Sequence, residues 1–124
     1  MKTASQKHNA KKKRLKNKAD KLLREYIKTK YPRCKLCGNP TSAGHHIIPK
    51  SRSNAVRYYL PNIIPLCQGC HGLWHNTQDP RLFERMKKLM GGEKWWKDLL
   101  IKSKKKSKRN MKVYEDAIQQ FHQV

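Results

Sequence analysis

Apolar residues along the chain fall into four stretches at helical spacing and two short clusters between them. Leu15, Ala19, Leu22, Leu23, Tyr26 and Ile27 share one face of a basic amphipathic helix expected over residues 14–33, which Tyr31-Pro32 brings to an end. Residues 1–13 lack any apolar period and read as a disordered basic tail. In the centre, residues 44–49 and 61–66 each carry an Ile-Ile pair next to Pro and have the size of short strands, and residues 68–76 can form a short helix. Gly38-Asn39-Pro40 marks a turn. Asp79 and Pro80 then read as the cap and first position of a helix whose apolar face is Leu82, Phe83, Met86, Leu89 and Met90, stopped by Gly91-Gly92. A further turn or two holds Trp95, Trp96, Leu99 and Leu100. The Lys104-Lys105-Lys106 run is a break, and Met111, Tyr114, Ile118 and Phe121 predict a last helix, so that residues 80–124 form a helical basic arm. The expected class is α+β, with residues 34–79 as its central unit.

Composition sharpens this picture. Leu, Ile, Val and Phe make up 23 of 124 residues, and 30 Lys+Arg stand against 8 Asp+Glu for a net charge of +22. Such a chain cannot rest on a large apolar core, so a structural metal is the expected source of extra stability. The charge sits at the ends: 13 basic and 2 acidic side chains in residues 1–33, 13 and 5 in 81–124, but only 4 and 1 in 34–80. Flanks of this kind suit a polyanion, because cations that neutralise phosphates release condensed counterions. Solubility alone would need far less charge, and an anionic membrane surface is the weaker alternative. Unbroken apolar runs reach only three or four residues and no apolar stretch follows the first lysines, so neither a membrane span nor a secretory signal is expected and a cytoplasmic protein is.

The four cysteines stand as Cys34-x-x-Cys37 and Cys67-x-x-Cys70, 29 residues apart. Each pair has the bite that brings two thiolates to one tetrahedral ion, and together they make a closed four-cysteine site, best suited to structural Zn²⁺. Two disulfides, a redox pair or an iron–sulfur centre are the competing readings. Four histidines lie in the same region: His45-His46 in the first candidate strand, and His71 and His75 four apart on the candidate helix, where they share a face. A third imidazole from the strand would complete an open site with coordination positions to spare. In a regular strand only one of His45 and His46 can face that helix. The competing view is that His71 or His75 joins the cysteine site or packs beneath Trp74.

The order Cys-x-x-Cys, His-His, Asn, Cys-x-x-Cys-His, His resembles the zinc-bracketed subgroup of HNH endonucleases, and the short basic flanks resemble those of small phage-type HNH proteins. That resemblance implies a small ββα-metal, treble-clef-like core with a four-cysteine zinc knot and flanking basic helices. It implies that His46 is the general base, that Asn62 orients it, and that His45, His71 and His75 hold a catalytic divalent metal (Mg²⁺, Mn²⁺, Ni²⁺ or Zn²⁺). The implied reaction is hydrolysis of a DNA phosphodiester bond, leaving a 5′-phosphate and a 3′-hydroxyl. A single centre cuts one strand per encounter, so nicking by a monomer is the default, with a dimer as the route to a double-strand cut. RNA is the alternative substrate. Lys50, Arg52 and Arg57, between the strands, are candidates to clamp phosphates or are solvated loop charges. Trp74, Trp95 and Trp96 either stack on bases or, the preferred reading, seal a core around the zinc knot. The rival functions are a non-catalytic zinc-knot binding module and a nuclease subunit that needs phage packaging or recombination partners.

Overall fold

The computed structural model describes residues 1–105 and 110–122. Its elements in chain order are helix α1 (Ala4–Lys30), strand β1 (Ala43–His46), two single 3₁₀ turns (Asn54–Val56 and Leu60–Asn62), strand β2 (Ile63–Leu66), and helices α2 (Gln68–Thr77), α3 (Pro80–Met90), α4 (Glu93–Lys104) and α5 (Asn110–Phe121). The protein is thus α+β, with one small antiparallel sheet among the described residues and the four cysteines gathered in one cluster.

One expectation about the ends needs correction. Residues 1–13 were expected to be a disordered tail, but α1 starts at Ala4, ten residues before the expected start at 14. The reason is a capping box. The Thr3 side chain accepts from the Gln6 amide at 3.1 Å while the Gln6 side chain accepts from the Thr3 amide at 2.8 Å, and nothing between them and Lys30 breaks a helix. Further on, Asp79 caps α3 through the Arg81 amide, and Gly91 (φ 132°) with Gly92 (φ 79°) ends that helix in backbone conformations that other residues avoid. Helix α4 is longer than the turn or two expected and runs through Lys104; Lys106, the last residue of the expected break, lies outside the described residues.

The sheet is only two strands of four residues, paired Ala43↔Leu66, Gly44↔Pro65, His45↔Ile64 and His46↔Ile63. All four β2 residues are buried, because each face of the sheet has its own cover. On one face Ile63 packs with Ala19, Leu23 and Ile27 of α1 and with Tyr114 and Phe121 of α5. On the other, Ile64 and Leu66 pack with Cys34, Cys67 and Met86, with Trp74 and Phe83 at the edge. A third small core joins Ile48 and Val56 to Leu99 of α4, with Trp95 and Trp96 against it. Of the three tryptophans, then, Trp74 borders the cysteine cluster, whereas Trp95 and Trp96 close this separate core, the Trp95 indole donating to the Pro61 carbonyl at 2.7 Å.

Helix α1 can lie directly on β1 because residue 44 is glycine. A Cβ there would run into Cγ2 of Ile63 and stand 3.4 Å from Cγ1 of Ile27.

Candidate active site

Among the described residues two clusters of metal-ligating side chains form, and they share no residue. In the first, the sulfurs of Cys34, Cys37, Cys67 and Cys70 lie within 4.8 Å of one another, with Cys37 and Cys67 at 3.4 Å. The sequence builds this locally. Residues 34–40 turn back so that the Cys34 amide donates to the Asn39 carbonyl and the Gly38 amide to the Cys34 carbonyl, while Cys67 is the N-cap of α2 and accepts from the Cys70 amide. Burial resists ionisation of Cys34, but amide donors from Cys67, Cys37 and Leu36 overcome it and lower the thiol to about 6, a shift that favours the thiolate a metal needs. Burial and the neighbouring thiols push Cys70 upward instead. Four clustered sulfurs with no disulfide fit a closed metal site.

In the second cluster, ligand nitrogens of His45, His71 and His75 lie within 4.8 Å of one another. The sheet register explains which member of the His-His pair takes part. His45 stands opposite Ile64 and shares its face, the side on which α2 lies; His46 stands opposite Ile63 and faces α1. The His45 ring centre is 5.2 Å from that of His71 and 5.5 Å from that of His75. On α2, His71 Nε2 and His75 Nε2 are 3.0 Å apart, close enough for both to reach one ion. His45 Nε2 is buried and, among the described residues, has no hydrogen-bond partner. A buried nitrogen without a partner costs free energy unless a ligand completes it, and here its ring stands against two more imidazoles. Burial, followed by the charges of His71, His75 and His46, lowers His45 to about 3; burial and His75 also lower His71. Both shifts favour the neutral ring at His45 and His71, the form that binds metal. The donor set fits a divalent ion.

His46 stands beside this cluster but turns away from it. Its Nε2 is 2.8 Å from the carbonyl oxygen of Arg57, which accepts the ring N–H. In the neutral imidazole the other nitrogen, Nδ1, then carries the lone pair. Burial lowers the His46 pKa, partly opposed by that same hydrogen bond.

Asn62 does not touch the His46 ring. It is fully buried, its Oδ1 accepts from the Ile48 amide at 2.8 Å, and its Nδ2 donates to the carbonyls of Ile48 and Val56, both at 3.1 Å. It ties residue 48, just after β1, to residue 56, which directly precedes Arg57.

A cleft of about 790 Å³ opens over the histidines, lined by His45, His46, His71 and His75 with Lys50 and Arg52 at its rim and Asp20 and Arg24 of α1 along one wall. Lys50 and Arg52 are exposed there, as a phosphate clamp requires. Arg57 is a correction. It is absent from the cleft lining, and its guanidinium is bound by Asp20, with Nη2–Oδ2 2.7 Å and Nε–Oδ1 3.2 Å. The Arg57 side chain is 11 % exposed, so what it offers the site is its backbone carbonyl. No sequence motif marks a carbonyl. Asp20 carried a faint signal: it is one of two acidic residues among thirteen basic ones in residues 1–33, and it sits between the buried positions Ala19 and Leu23.

Residues 34–77 match the family model of HNH endonuclease. This segment holds both clusters, and its two cysteine pairs are consistent with the zinc-bracketed form of that family. Such a segment implies a nuclease-type function and a nucleic-acid substrate. No curated protein and no solved structure matches the chain. Among the described residues no helix is long and apolar enough to cross a membrane.

Proposed function

We propose that the HNH endonuclease segment at residues 34–77 makes this protein a metal-dependent DNA endonuclease that nicks one strand and leaves a 5′-phosphate and a 3′-hydroxyl. The observation that carries the reading is the convergence of His45, His71 and His75 beside a fourth histidine whose ring is oriented separately. His45, His71 and His75 would hold a divalent ion, which when bound neutralises charge on the scissile phosphate and on the 3′-oxygen. The remaining work falls to the chain itself. His46, fixed through Nε2 by the Arg57 carbonyl, takes a proton from water at Nδ1 as the water oxygen bonds to phosphorus. The P–O3′ bond breaks, its electron pair stays on the 3′-oxygen, and that oxygen is protonated from solvent. Asn62 acts as a positioning residue through the loop it clamps. The four cysteines hold Zn²⁺ and tie α2 to the 34–40 turn, which sets His71 and His75 opposite β1.

The charge distribution supports DNA as partner. Lys50 and Arg52 rim the cleft, and α1, about 40 Å long, carries most of the thirteen basic side chains of residues 1–33. Such contacts grip phosphates and carry no base code, so cleavage should be sequence-tolerant.

The test is supercoiled plasmid incubated with EDTA-stripped protein, to which Mg²⁺, Mn²⁺, Ni²⁺ or Zn²⁺ is returned singly. Open-circle product with ligatable ends, obtained only with added ion and lost in His75→Ala, is expected. DNA retardation without cleavage under every ion would instead identify a zinc-knot binding module.

A further inference from the structure

We propose that Asp20, on α1, is a positioning residue for this reaction: by holding Arg57 it fixes the carbonyl that orients His46, which makes the N-terminal helix part of the catalytic apparatus. The inference rests on the reading of His46 as proton acceptor.

The hydrogen bond to Arg57 O is what holds the His46 ring from its Nε2 side, so the ring is placed only as well as that carbonyl is. The local backbone holds it weakly. Arg57 follows the 3₁₀ turn Asn54–Val56, and its amide reaches the Asn54 carbonyl at 3.4 Å, a long bond. The side chain is held far better. Asp20 takes Nη2 and Nε of Arg57 through both of its oxygens and also accepts the Tyr58 hydroxyl at 2.7 Å. The guanidinium lies 5.7 Å from the centre of the Tyr58 ring and 5.9 Å from that of Tyr114 on α5. Asp20 therefore grips two consecutive loop residues from outside, on the residue whose carbonyl matters.

The grip is effective only if α1 is itself fixed against the sheet, and Gly44 secures that by admitting Ile27 and Ile63 at close approach. Three elements thereby meet at His46: β1, which carries it, the loop, which bonds it, and α1, which bonds the loop. Electrostatics argues against the simpler view of Asp20 as a DNA contact. A carboxylate lining a cleft meant for phosphates repels the substrate, so its removal should help binding while harming the chemistry.

The test compares wild type, Asp20→Asn, Asp20→Glu and Leu15→Ala, each loaded with the same divalent ion. It measures kcat and KM for plasmid nicking, the melting temperature, and the ¹H–¹⁵N imidazole spectrum of His46. Leu15 packs against the same apolar cluster as α1's buried face and takes no part in the hydrogen bonds among Asp20, Arg57 and His46, so its variant reports what lost stability alone does. Asp20→Asn should lower kcat about tenfold or more with KM unchanged or reduced, and His46 should lose its single Nε2–H tautomer. Asp20→Glu should recover part of kcat, and Leu15→Ala should keep it. A wild-type kcat in Asp20→Asn, a change confined to KM, or a fall matched by Leu15→Ala at equal melting temperature would overturn the proposal. If the wild type itself cuts nothing, the nuclease reading fails, and the tautomer measurement still decides whether Asp20 positions His46.

Discussion

Replacing Asn62 by alanine separates two accounts of what this residue does. If Asn62 oriented His46 directly, Asn62→Ala would lose activity and leave the fold nearly untouched. The structure gives it a different task, three hydrogen bonds to the backbone of residues 48 and 56 from a fully buried position. Truncation would strand the Ile48 amide and the Ile48 and Val56 carbonyls away from water. A stranded buried group costs about 1–3 kcal/mol, though neighbouring losses are not additive once the loop relaxes, so the net should be about 3–5 kcal/mol. Set against a total of about 5–15 kcal/mol for a domain, that is a large fraction. The assay is urea denaturation of the metal-loaded protein followed by tryptophan fluorescence, to which Trp95, bonded to the carbonyl of the adjacent Pro61, is a local reporter. Asn62→Asp is the informative companion. It keeps an acceptor for the Ile48 amide but turns a carboxylate oxygen toward two carbonyls, so it should rescue nothing. A loss below about 1 kcal/mol in Asn62→Ala, or a stable Asn62→Asp, would refute this reasoning.

Two further outcomes are expected. Cys67→Ser removes a buried sulfur ligand while leaving a hydroxyl that can still cap α2, so metal content should fall by one ion per chain and thermal unfolding should become non-cooperative or occur well below wild type; full metal content by mass spectrometry would contradict a four-cysteine site. The pH dependence follows from His46, which serves as a base only when neutral. Burial, with Lys50 and Arg57 nearby, places its pKa below the ordinary 6.5, so the neutral form prevails above that value and is lost as pH falls through the lowered pKa. The profile of kcat at saturating ion should therefore be flat above pH 6.5 with its acid limb centred below it, and a limb centred above 7 would exclude His46 as that base.

How much of this could be read from the chain depends on what kind of signal each feature leaves. Side-chain chemistry at fixed spacing leaves a strong one. The cysteine pairs and the i, i+4 pair His71 and His75 are found in two clusters as their spacing required, and the two-residue period of a strand correctly separated His45 from His46. Helix α3 was equally legible, from Asp79-Pro80 to Gly91-Gly92. Backbone groups leave none: nothing in the sequence points to the Arg57 carbonyl as the acceptor of the His46 ring, and its side chain reads only as a phosphate clamp or a solvated loop charge. Helix α1 was cut short for a related reason. Thr3 and Gln6 form a capping box, but the eight positions after Gln6 carry too few apolar residues to show a period, and a helix can run through a polar stretch when its far end is packed.

The central claim is that a histidine outside both metal clusters accepts the proton. Cleavage of supercoiled plasmid by wild type and His46→Ala, at the same divalent ion and matched metal content, tests it most directly. The account predicts equal metal binding and equal DNA affinity with cleavage reduced by at least about a hundredfold in the variant. Cleavage by His46→Ala at the wild-type rate, or no metal-dependent cleavage by the wild type, would contradict it.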